Sequence, residues 1–114
     1  MRNPTTAEAK RIMTTQEQKP ISFLVRMKFA EEDRAEIQAI LGPLTEASRQ
    51  EPGCVTYVPH WVQGESATLV IYEQYRDGEA LEAHRGSKHF EQYAVSGLYQ
   101  KMRERAVEDL ITAV

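Results

Sequence analysis

One cysteine, Cys54, stands in 114 residues. That excludes a disulfide within the chain and a metal site built on thiolates. No apolar run approaches the roughly 20 residues of a membrane span. The N-terminus lacks the apolar segment of a signal peptide, so a cytoplasmic protein is expected. A basic excess is missing too: 14 Lys and Arg stand against 17 Asp and Glu, with the signs mixed along the chain. Nucleic acid is therefore not an expected partner. There is no Gly-rich phosphate loop, no dinucleotide fingerprint and no Gly-x-Ser-x-Gly elbow. Histidine is scarce, at His60, His84 and His89. His84 and His89 would point about 140° apart on one ideal helix, and Gly86 breaks that helix anyway. His60 lies on a different element. No metal site is predicted.

What remains is an ordinary globular composition, 41% hydrophobic and 27% charged, at a length that suits one domain. Residues 1–20 are polar and end at Pro20. They read as an extension outside the core, with a short helix near Thr6 to Met13. Residues 21–114 read as the domain. Ile21, Phe23, Val25, Met27 and Phe29 alternate with Ser22, Leu24, Arg26 and Lys28, which is the period of a strand. Glu31, Glu32 and Asp33 then favour a helix N-terminus through the dipole. Ile37, Ile40, Leu41, Leu44 and Ala47 follow at helical spacing. Pro43 should kink that helix, and Pro52-Gly53 should end it.

Two more strands are predicted over 54–62 and 67–76, joined through Gln63-Gly64-Glu65-Ser66. Asp77 suits the N-cap of a helix from Gly78 to Arg85. Ser87 can cap the next helix, whose inner face is Phe90, Tyr93, Ala94, Gly97, Leu98 and Met102. Val107, Leu110, Ile111 and Val114 fit either a helix or a fourth strand. The order β-α-β-β-α-β is the split, ferredoxin-like α+β arrangement, an antiparallel sheet with helices on one face.

His84 is the leading catalytic candidate. It falls on the apolar side of its helix beside Ala80 and Leu81, and a polar group aimed into a small core needs a reason to be there. An imidazole titrating near neutrality can take a proton from a phenol or an acidic C–H. The plainer reading is a core histidine with one hydrogen bond to backbone. His89, beside a helix start, reads as a capping or surface residue. Tyr57, Trp61, Tyr72, Tyr75, Phe90 and Tyr93 can line an aromatic pocket or simply pack. Neighbouring strand residues point to opposite faces, so Tyr72 and Glu73 cannot share one pocket without a bulge. Arg26 is solvated, paired with Glu73, or an anion-binding group. Cys54 reads as a small buried apolar residue.

Glu51-Pro52-Gly53-Cys54, Ile71-Tyr72-Glu73-Gln74-Tyr75, Glu82-Ala83-His84 and His89-Phe90, in this order, resemble the antibiotic biosynthesis monooxygenase family. The likeness runs from about Ile21 to Ala113. It implies a ferredoxin-like domain that pairs sheet to sheet into a homodimer of the dimeric α/β-barrel type, with its pocket between sheet and helices. It also implies chemistry without a cofactor. Several members oxygenate quinols or phenols with O₂ and neither metal nor flavin. The quinol monooxygenase branch is most similar, through Glu73-Gln74, Leu81-Glu82-Ala83-His84 and His89. The isomerase branch of autoinducer-2 catabolism is also similar and suggests a phosphorylated carbonyl substrate. The haem-degrading branch fits poorly, because Arg26, Tyr75 and Ala94 replace its Asn, Trp and His.

On this resemblance His84 is the expected base. Arg26 or His60 would hold the anion, with Trp61 and Tyr72 stacked on the ring. Glu73, Phe90 and Tyr57 complete the expected substrate site. A dimeric ligand-binding module without catalysis is the remaining alternative. Apolar residues on both faces of the third strand, Leu69 and Ile71 against Val70 and Tyr72, support the dimer.

Overall fold

A computed structural model describes residues 19–114. The expected helix near Thr6 to Met13, and all but the last two residues of the expected extension, lie outside the described residues. The described elements run β1 (Ile21–Lys28), a 3₁₀ turn (Glu31–Asp33), α1 (Arg34–Arg49), β2 (Cys54–Trp61), β3 (Thr68–Tyr75), α2 (Gly78–Arg85), α3 (88–101) and β4 (Glu104–Leu110). The four strands form one antiparallel sheet in the order β2-β3-β1-β4. This is the expected ferredoxin-like α+β fold.

Strand alternation sorts the side chains into cross-strand rows. On the helix-covered face the rows are Phe23–Glu73–Tyr57, Val25–Ile71–Pro59 and Met27–Leu69–Trp61. Ile37, Leu41 and Leu44 of α1 join Ala94 and Leu98 of α3 in the core against these strands. On the open face the rows are Leu24–Tyr72–Val58 and Arg26–Val70–His60. Alternation in β1 and β3 thus puts an apolar stripe on each side of the sheet, one of them uncovered.

Local chemistry explains the element ends. Asp77 Oδ1 accepts from the Ala80 amide at 2.8 Å and caps α2. That bond holds the Asp77 carboxyl below its usual range. Ser87 Oγ accepts from the Phe90 amide at 3.1 Å, as a cap should. Pro43 lies inside α1, which continues through it to Arg49. The tail resolves as a strand rather than a helix, paired with β1 in a register that sets Val107 opposite Val25. Within α3, Phe90–Leu98 has π-type hydrogen bonding, a widened turn that the spacing alone did not suggest. Among the described residues, no helix is long and apolar enough to cross a membrane.

Candidate active site

Three elements converge under the helix-covered face. Glu51 sits in the tight turn between α1 and β2, where the Cys54 amide donates to its carbonyl at 3.1 Å. His84 closes the last turn of α2, and His89 opens α3. Ser87 ties these two helices together, its hydroxyl donating to the His84 carbonyl at 2.7 Å while its Oγ caps α3. The helical-wheel angle between His84 and His89 therefore does not apply. The chain turns at Gly86 and brings both rings to one carboxyl group. Glu51 Oε2 lies 2.8 Å from His84 Nδ1 and 2.5 Å from His89 Nε2. His89 is thus part of the cluster and not the surface or capping residue that its position suggested.

His84 is 2% exposed and Glu73 is 6% exposed. Glu73 Oε1 accepts from the Tyr75 hydroxyl at 2.6 Å and lies 3.8 Å from His84 Nε2. Burial pushes the Glu73 carboxyl up to about 7, against a smaller pull downward from the Tyr75 bond and from Arg105 and Arg85. Burial also lowers His84, and the Glu51 bond only partly offsets this. The Tyr57 and Tyr75 hydroxyls are pushed well above the phenol range, first by burial and then by Glu73. Burial likewise raises the half-buried Cys54 thiol to about 11, which argues against a thiolate nucleophile.

His84 and Glu73 face a small cavity of about 40 Å³. Its apolar wall includes Phe23, Tyr57, Ile71, Phe90 and Leu98, and Arg85 and Arg105 also line it. The His84 ring lies 5.1 Å from the Phe90 ring, edge to face, and 5.8 Å from Tyr57. Of the expected site residues, His84, Glu73, Tyr57 and Phe90 come together here.

The others do not. Arg26, His60 and Tyr72 occupy the open face of the sheet, across it from His84, because strand period 2 sends them there. Arg26 pairs with Glu65 and not with Glu73. His60 is exposed, lies within hydrogen-bond distance of the Val58 carbonyl at 3.1 Å, and contributes to the lining of the groove that holds Trp61. Trp61 is on the helix side but at another place, a groove of about 530 Å³ between α1 and β2. There its indole N–H donates to Gln38 at 2.8 Å and Arg34 lies over its ring. That groove shares no lining residue with the His84 cavity. Sequence reasoning missed the roles of Glu51 and Arg105 in this geometry. Only Glu51 carried a signal, through the Glu51-Pro52-Gly53-Cys54 run.

Residues 20–95 match the family described as Antibiotic biosynthesis monooxygenase. A Mycobacterium tuberculosis (strain ATCC 25618 / H37Rv) protein named "Putative monooxygenase Rv0793" is 31% identical over 74 residues, covering 65% of this chain and 72% of that protein. The solved structure of Rv0793 superposes with a TM-score of 0.75 at 28% identity, covering 84% of this chain and 97% of that one. The structure of PA3566 from Pseudomonas aeruginosa shares the fold, with a TM-score of 0.77 at 24% identity over 86% of this chain and 98% of that one.

Proposed function

Since the chain belongs to the antibiotic biosynthesis monooxygenase family, we propose that this monooxygenase oxidises a quinol or related phenolic small molecule with O₂ and without a cofactor. One observation carries the reading. His84 and Glu73, both buried, face a cavity lined mostly by apolar and aromatic residues, with Arg85 and Arg105 also in its wall. The Nδ1–H of His84 donates to Glu51, which leaves the Nε2 lone pair as the acceptor on the Glu73 side. Burial keeps the imidazole neutral and able to take the phenol proton. Arg85 and Arg105 favour the resulting phenolate, in the role first expected of Arg26 or His60.

The phenolate then passes one electron to O₂, and the substrate radical and superoxide recombine to a C–O bond. Loss of water leaves a hydroxyquinone, so one oxygen atom enters the substrate and one leaves in water. The substrate supplies all the electrons. A cavity of about 40 Å³ has room for a water or two, whereas about 150 Å³ accommodates benzene. Phe90 and the π-type stretch of α3 must therefore swing outward to admit a ring.

The chain acts as a homodimer paired through the open sheet face, where Leu24, Val58, Val70 and Tyr72 are only half-buried. The arginine pair also favours a second reading, a base-catalysed isomerase of a small phosphorylated carbonyl compound. The test is oxygen uptake by purified, chelator-treated protein across a panel of quinols. Uptake that needs the protein and survives chelation supports the oxygenase. No uptake across the panel overturns it in favour of the isomerase or of ligand binding without catalysis.

A further inference from the structure

The Glu51–His84–His89 cluster has an imbalance that base catalysis does not use. Two imidazole nitrogens crowd one oxygen, Glu51 Oε2. The other oxygen, Glu51 Oε1, is buried and has no hydrogen-bond partner among the described residues. Buried polar atoms are nearly always partnered, so an orphaned carboxylate oxygen beside two imidazoles points to a missing ligand.

We propose that Glu51, His84 and His89 form a binding site for one divalent transition-metal ion, with Zn²⁺ as the best fit. One ligand atom from each residue already lies within 4.8 Å of the others. Tetrahedral Zn²⁺ with bonds near 2.0–2.2 Å sets its ligand atoms about 3.3 Å apart. The present separations of 2.8 and 2.5 Å are shorter than that, so the Glu51 carboxylate must swing back from the two rings to admit the ion between them. Two nitrogens and a carboxylate suit Zn²⁺, Ni²⁺, Cu²⁺ or Fe²⁺ rather than Mg²⁺ or Ca²⁺, which prefer oxygen alone. Three protein ligands leave a position open.

The surroundings fit as well. A metal-bound histidine usually gives its other N–H to a carboxylate, which fixes ring and tautomer. His84 Nε2, the nitrogen turned away from Glu51, lies 3.8 Å from Glu73 Oε1, outside hydrogen-bond range, so the ring must shift slightly toward Glu73 to make that bond. Tyr75 in turn holds Glu73, at 2.6 Å. The three ligands come from a turn and two helix ends that Ser87 and the Glu51–Cys54 turn already stitch in place.

Binding at this site does not rest on the proposed oxygenation, but one consequence bears on it. A metal on Nδ1 leaves the proton on Nε2 and removes the lone pair that would accept the phenol proton. Occupancy of this site and base catalysis by His84 are then alternative states, and the ion is an inhibitor.

The experiment is a calorimetric titration of chelator-stripped full-length protein with Zn²⁺, repeated with Co²⁺ under visible absorption. The expected result is one ion per chain, with the d–d bands of a four-coordinate Co²⁺ site. His89→Ala and Glu51→Gln should each weaken binding by at least about 10-fold, the loss that removing even an outer partner causes. His60→Ala, on the other face of the sheet, should leave it unchanged. Should the cluster variants misfold, imidazole NMR of the wild-type protein decides, with Zn²⁺ shifting the His84 and His89 rings and sparing His60. Absence of binding, or undiminished binding in folded His89→Ala, would overturn the site and leave a hydrogen-bonded network only. None of these readouts involves oxygen uptake, so the oxygenase reading stands or falls separately.

Discussion

At the residue scale, Glu73 and His84 make opposite demands on the solvent. Folding favours the protonated carboxyl of Glu73, whose pKa burial raises from 4.5 to about 7. The stability tied to that proton is fully present below the unfolded value and is lost as pH rises through about 7. His84 is lowered, so its contribution is present above the ordinary histidine range and is lost on acidification. Glu73→Gln isolates the first effect, since a Gln oxygen can still accept from Tyr75. The variant should be more stable than wild type at about pH 8, by up to about 3 kcal/mol, and nearly equal to it at about pH 4. Urea unfolding at the two pH values checks this. An equal gain at both would mean that the charge on Glu73 is not the cause. On the catalytic side, His84→Ala should lower the rate of oxygen uptake by about 100-fold or more, and His60→Ala should leave it intact. Equal losses in the two variants would return His60 to the site.

At the scale of elements, the site depends on how closely α2 approaches the turn before β2. A Cβ at Gly53 would lie 2.3 Å from the Ala80 Cβ and 3.3 Å from its Cα. Gly53 is therefore required by proximity, and its carbonyl also accepts from the Arg76 amide at 2.8 Å. Gly53→Ala should destabilise by about 1–3 kcal/mol. Adding Ala80→Gly should recover part of the loss, although glycine in a helix itself costs about 1 kcal/mol. A denaturant series on the two single variants and the double variant reads this coupling, and strict additivity would refute the contact. The elements themselves were largely legible. Alternation from Ile21 to Phe29 and the caps Asp77 and Ser87 act locally, and they mark the strand and the two helix starts where the structure has them. The tail was ambiguous because Val107, Leu110 and Ile111 satisfy both periods, and pairing with β1 decided it. The π-type turn had no local signature, since a widened helix is set by what it packs against.

For the molecule as a whole, the helices cover only one side of the sheet. All of β4 is exposed, with Val107 at 42% and Leu110 at 39%. Leu110, opposite Ser22, lies on the open face with Leu24, Val58, Val70 and Tyr72, whereas Val107, opposite Val25, lies on the other face. An uncovered apolar stripe of this kind marks an interface. Light scattering at micromolar concentration should give the mass of two chains. Val70→Lys, in the middle of that face, should give the mass of one while the far-ultraviolet circular dichroism stays unchanged. A wild-type monomer at that concentration would remove the dimer from the proposal.

The amino-acid sequence by itself determined the element order up to the tail, the two-faced sheet and the burial of His84, because period, caps and breakers act over a few residues. Those same signals were enough to separate Tyr72 from Glu73. Only the tertiary structure decided which polar groups meet. Glu51, Glu73, His84, His89 and Arg105 belong to five separate segments, and their meeting depends on the Ser87 turn, the Gly53–Ala80 contact and the strand register. Arg26 and His60 were drawn to the site by their chemistry and carried from it by the register. A one-residue change of phase along a strand moves a side chain through the sheet, and no local pattern records which distant groups share the face on which it lands.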